Sequence, residues 1–166
     1  MRRWLQSPNT FSWMALVIAS TGLTLAPEAI GHGGAKGIVL ERHKSMIRLE
    51  RAGNALYAMA ESTRALKRKQ LARHARVMLK ESKRMRSQFP DTKRSRRGKG
   101  SRTSDRVWSH REEFDLMTDD LIELAKSLGR ATAGVTKPDL RKRIAEIGQS
   151  CDSCHLRFRL SKKLAH

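Results

Sequence analysis

The chain has 166 residues, and lysine plus arginine outnumber aspartate plus glutamate 35 to 16, a formal charge of +19. That length suits a single domain. With Gly and Pro sparse at 11 and 4, and Ala, Leu, Lys, Arg and Glu recurring throughout, the composition favours helices over a sandwich or barrel, which needs a series of short β-branched and aromatic runs; two cysteines also exclude a multi-bridge disulfide scaffold.

In chain order, Arg2, Arg3 and Trp4 give a basic start, and residues 11–26 then carry no charge. Length and flanks read as a signal peptide over residues 1–31. Cleavage falls somewhere in 26–35, among the small residues Ala26, Ala29 and Gly31, with Pro27 opposing a cut directly after Ala26. The competing reading is an uncleaved anchor, but the apolar stretch is shorter than the ~20 residues a spanning helix needs. Export implies a periplasmic location. Removing 1–31 leaves 33 basic and 15 acidic side chains, or +18 on 135 residues.

Four amphipathic series follow, with steps of three and four residues that fit helices. The first is Val39, Arg42, Met46, Leu49, Gly53, Leu56 and Ala60. The second is Leu71, Ala75, Met78, Ser82, Met85 and Phe89, stopped by Pro90. Val107, Phe114, Met117, Leu121, Leu124 and Leu128 form the third, closed by Gly129 and Gly134. The fourth starts beside Pro138 and runs Leu140, Ile144, Ile147, Cys151, His155 and Phe158. The fold class is therefore all-α, with four helices that pack antiparallel as a four-helix bundle if their connections stay short. One long connection, about 89–104, carries Lys93, Arg94, Arg96, Arg97, Lys99 and Arg102 among Ser, Gly and Thr. It reads as a surface loop, either a solvated, mobile excursion or an electrostatic docking patch. Nucleic acid ranks below both, because no nucleic-acid motif accompanies the basic residues and the leader points out of the cytoplasm.

Chemistry concentrates in Cys151-Asp152-Ser153-Cys154-His155, the C-x-x-C-H sequence of c-type haem attachment. Two thiols three residues apart can each add to one vinyl group on the same porphyrin edge, and the adjacent imidazole supplies the proximal ligand. One covalently attached haem c is thus the expected cofactor. Three alternatives stand beside it. A thioredoxin-like redox pair lacks its α/β context here. A structural zinc site needs about four ligands where only three cluster. A simple disulfide leaves His155 unexplained.

With this motif behind four helical series, the chain resembles the class II cytochromes c, which include cytochrome c-prime and its low-spin, methionine-ligated relatives. The resemblance covers residues 37–162. It rests on Ile147-Gly148-Gln149-Ser150 before Cys151, on Phe158-Arg159 after His155, on Arg42, Met46 and Gly53, and on Phe89-Pro90 and Val107-Trp108. The arginine-rich stretch 93–102 departs from it. The resemblance implies that Met46, four places after Arg42, faces the distal side of the haem, and that Arg42 meets a propionate; otherwise Met46 is core packing and Arg42 snorkels to the bundle end. It also implies an up-down-up-down four-helix bundle with homodimer pairing through the first two helices; without haem, an apolar slot is expected among Met46, Leu49, Ile147 and Phe158, and that slot is cofactor space. Gly53 would permit close approach of the first helix and Gly148 would relieve crowding near the cysteines. Met59, Met78, Met85 and Met117 read as core; His43, His74, His110, His32 and His166 read as surface or tail groups.

With His155 and Met46 both on iron, no coordination position is open. The expected function is then one-electron transfer, without a catalytic constellation and not as an enzyme. Acidic redox partner proteins or an anionic membrane surface would suit the charge. The alternative is a five-coordinate, cytochrome c-prime-like protein in which Met46 only crowds the distal side and NO or CO binds.

Overall fold

The computed structural model describes residues 34–161. The leader, its cleavage interval up to residue 33, His32 and His166 lie outside the described residues. Six helices follow in order: α1 Gly37–Glu61, α2 Arg68–Arg84, α3 Lys93–Arg97, α4 Arg106–Ser109, α5 Arg111–Ala131 and α6 Lys137–Phe158. Among the described residues there is no strand, only an isolated antiparallel bridge between Thr103 and Arg159. No described helix is long and apolar enough to cross a membrane.

The four long helices form an antiparallel bundle in which α1 packs on α2, α2 on α5, α5 on α6, and α6 back on α1. Local chemistry sets their ends. Lys36 and Ser62 bracket α1 with extended backbone. α6 is opened by Thr136, whose hydroxyl accepts from the Asp139 amide, with Pro138 in the first turn where no intrahelical donor is lost. α2 tightens into a 3-10 turn at Arg86–Gln88 before Pro90.

The core follows the predicted series closely in α2, where all six positions are buried. In α1 it departs. Val39, Arg42, Leu49, Leu56 and Ala60 are buried, but Ser45 and Ala52 join them, while Met46 and Gly53 sit at its edge, half-buried. A buried row through 42, 45, 49, 52 and 56 is the narrow seam of helices that stay in contact over many turns. Thr118 and Ala125 extend the α5 face in the same way. Met78 and Met85 are core, with Met59 and Met117 packed against it. Phe89, Phe114 and Phe158 close one end edge-to-face, with ring centroids 4.9 and 5.4 Å apart.

Several expectations are corrected here. The third series is not one helix: non-helical backbone at His110 separates α4 from α5, with Trp108 Nε1 anchored to the carbonyls of Phe89 and Pro90. Nor does Gly129 end α5, which continues to Ala131. The segment 89–104 is no solvated excursion. It contains α3, capped by the Thr92 hydroxyl, and turns Ser95, Ser101 and Thr103 into the protein. Gly98 is required there, because a Cβ would lie 2.5 Å from the Arg94 carbonyl oxygen and 2.8 Å from Val39 Cγ2. Gly53 and Gly148 are different: a Cβ at either meets nothing within 4 Å, so neither serves close helix packing.

Candidate haem site between the first and last helices

Cys151, Cys154 and His155 lie in the last two turns of α6, all half-buried. The i, i+3 spacing sets the two sulfurs on one face. Both are free thiols, packed against the core from its edge. Burial pushes the Cys151 thiol up, with Asp152 adding to it, and raises Cys154 to about 11. At neutral pH both stay protonated and unreactive as thiolates. Burial also pushes the His155 imidazole down, helped by Arg159 and Arg102 against Asp152, so its ring is neutral and a nitrogen lone pair is available.

Antiparallel register sets what stands opposite. Arg141 of α6 pairs with Glu61 of α1 at 2.6 Å. Fifteen residues back along α1 is Met46, and fifteen residues forward along α6 is Leu156, beside His155; equal rise per residue puts them at one level of the bundle. Met46 is half-buried and packs against the core. Leu49, Ile147 and Phe158 are core residues. His43 and His74 are half-buried and His110 is exposed.

Arg42 is only 4% exposed, so it does not snorkel to the bundle end. Its Nε and Nη2 donate to the Gln88 carbonyl at 3.2 and 3.1 Å, Nη2 also to the carbonyl and hydroxyl of Ser95 at 3.2 and 2.8 Å, and Nη1 to the Thr103 hydroxyl. The guanidinium lies 4.2 Å from the centroid of the Phe89 ring, a cation–π contact. Burial lowers its pKa to about 10, which leaves it protonated at neutral pH. These hydrogen-bond partners are all neutral.

Beside it runs a buried polar chain that the sequence did not announce. Gln88 Nε2 donates to the Ser45 hydroxyl at 2.7 Å, Ser45 donates to Glu81, and Arg48 Nε meets the same carboxylate at 2.9 Å. Burial raises the Glu81 pKa, but the hydrogen bonds from Arg48 and Ser45 and the charges of Arg48 and Arg84 outweigh it, holding the carboxyl below its ordinary value. An arginine on an otherwise apolar stripe signals that buried partners must exist. Carbonyl groups cannot be read as those partners from sequence.

The donor set on α6 fits a haem tethered by two thioethers with an imidazole ligand, and it does not fit the alternatives equally. The two thiols are not joined, and no group of three or more His, Cys, Asp or Glu side chains among the described residues is placed to hold a metal ion. The profile of a protein family described as Cytochrome C' matches residues 37–159. The chain belongs to the cytochrome c' family. That family binds haem c. Solved cytochromes c' share the fold: one from Rubrivivax gelatinosus is 20% identical with a TM-score of 0.64, the match covering 71% of this chain and 91% of that one. A nitric oxide complex of a variant from Alcaligenes xylosoxidans is 16% identical with a TM-score of 0.66, over 75% and 94% of the two chains. A third, described by an unusual ligand-controlled dimer dissociation, is 16% identical with a TM-score of 0.67, over 75% and 95%. No individually curated protein matches. The likeness to these solved structures carries the four-helix bundle.

Proposed function

We propose that this cytochrome c' is an exported, periplasmic protein that holds one haem c through Cys151 and Cys154, with His155 as proximal ligand, and takes a small diatomic ligand, NO or CO, on the side that Met46 flanks. The observation carrying the proposal is two half-buried thiols and a half-buried imidazole within five residues of α6, in a chain of this family. The nitric oxide complex of the Alcaligenes relative supports the choice of ligand. When bound, the group supplies an iron that can take such a ligand or pass one electron. The chain's part is to tether it, present the His155 nitrogen, restrict access from the α1 side with Met46 and offer a cation. Arg42 suits a propionate because its protein partners carry no charge, so a carboxylate would compete well for it.

A second reading is supported by the residue identity at 46. A thioether level with residues 155–156 can itself fill the sixth position, giving a low-spin electron carrier with acidic redox partners. The NO/CO reading is the one that similarity to cytochrome c' proteins favours. A homodimer is part of the proposal, supported by the relative whose dimer dissociates under ligand control; sedimentation with and without CO tests it.

The test of attachment is expression with a periplasmic haem-assembly system, then denaturation and solvent extraction. Haem that stays with the wild-type chain and leaves the Cys151→Ser/Cys154→Ser chain is the expected result; haem extracted from both would refute covalent attachment.

A further inference from the structure

The segment 91–106 holds seven basic side chains, Lys93, Arg94, Arg96, Arg97, Lys99, Arg102 and Arg106, against Asp91 and Asp105. Its underside is built in. Ser95 and Ser101 are fully buried and Thr103 is buried; Arg42 bonds to Ser95 and Thr103 from below. Its far end is tied to the residues just after the haem motif: Ser104 N donates to the Phe158 carbonyl at 2.9 Å and Leu160 N to the Arg102 carbonyl at 2.7 Å. Within it, Arg96 is a strut, bonded to Asp91 at 2.6 Å and Asp105 at 3.4 Å and stacked on Trp108 at 4.7 Å. Lys93, Arg94, Lys99 and Arg106 are exposed on the outer side, as is Arg97, whose Nη2 lies 3.7 Å from Asp105 Oδ2.

We infer that α3 and its flanks form a pre-built docking platform for an acidic protein surface, holding four to five cations at the end of the bundle that carries His155. The inference rests on the haem reading for what the platform serves. Charges on a free loop would be solvated and averaged. Charges fixed by a buried underside cost little further ordering on binding and set orientation as well as encounter rate. A solvated face needs no such framework. An acidic protein suits it better than a lipid surface, because the fixed cations are interleaved with Asp91 and Asp105, a pattern that a uniformly anionic sheet would not match.

The test uses the haem-loaded protein and two variants of equal charge loss. One removes the platform: Lys93→Gln, Arg94→Gln, Arg97→Gln and Lys99→Gln. The control removes four exposed cations from the start of α2 to its middle, away from the platform: Lys67→Gln, Lys69→Gln, Arg73→Gln and Arg76→Gln. Affinity for poly-L-glutamate is measured at low and physiological salt, and the reduced protein is oxidised by anionic hexacyanoferrate(III) and by cationic tris(phenanthroline)cobalt(III), each taking one electron from the ferrous haem. Expected is a loss of about tenfold in polyglutamate affinity and in the hexacyanoferrate rate for the platform variant, a rise in the cobalt rate, and changes under about threefold in the control. Equal losses in both variants would overturn the platform, since net charge alone would then explain the binding. Platform-dependent binding to phosphatidylglycerol vesicles without binding to polyglutamate would overturn it in favour of lipid. Should the fourfold variant not fold, Lys93→Gln/Lys99→Gln carries the same comparison. A wild-type chain that takes up no haem in the haem-assembly system, yet binds polyglutamate through the platform, would refute the haem reading and leave this one standing.

Discussion

Arg42→Ala would orphan the Gln88 and Ser95 carbonyls and the hydroxyls of Ser95 and Thr103 in one step. The expected loss is about 2–4 kcal/mol of stability, read by denaturant unfolding, because buried acceptors without donors are costly. Arg42→Lys recovers little, since one ammonium cannot span acceptors that a planar fork reaches together. Glu81 gives a pH signature. Its folded pKa lies below the ordinary 4.5, so its contribution is complete above the unfolded value and is lost as pH falls through the lower folded one. The wild type should therefore lose stability on acidification below about pH 4.5 more steeply than Glu81→Gln, whose thermal midpoint should start lower and vary less there. The C-x-x-C-H motif was legible because its five residues are consecutive. The Arg42 partners were not, because they lie 46 to 61 residues away and two are backbone carbonyls.

At the scale of elements, the apolar part of the α2 face was readable and Pro90 marks its end, but Glu81, buried beside Ser82, was missed because a carboxylate carries the hydropathy signal of a surface residue. The α1 face drifted by one residue at two positions: Ser45 and Ala52 are small, carry little hydropathy signal, and yet fill the seam where α1 meets α2. The ordering of 89–104 was invisible to periodicity for the same reason in sharper form. α3 buries only Ser95 and contains no apolar side chain. What fixes it is a hydroxyl, a capping threonine and a glycine. Gly98→Ala should accordingly cost about 1–3 kcal/mol through overpacking against the Arg94 carbonyl and Val39. It should also speed tryptic cleavage at Arg94, Arg96 and Arg97, seen by mass spectrometry under native conditions. A cleavage pattern unchanged from wild type would mean that the close approach at Gly98 does not hold the segment.

On the scale of the whole molecule, the bundle sets α1 and α6 side by side and braces one end with a basic segment tied to both. α1 presents Met46, α6 presents His155, and Arg42 with the Thr103–Arg159 bridge links each to 88–104. A side chain at 46 that only restricts access should tune ligand binding: Met46→Ala should raise CO affinity without altering haem attachment, checked by CO titration beside the denatured haem content. The measurement that bears most directly on the account is the difference spectrum of the reduced, haem-loaded protein on adding CO. A saturable CO spectrum in the wild type, with haem that survives denaturation, is the predicted result. A low-spin spectrum that CO leaves unchanged until Met46 is replaced would contradict gas binding and assign Met46 to the iron, and an absence of haem absorbance would contradict the account from Cys151 onward.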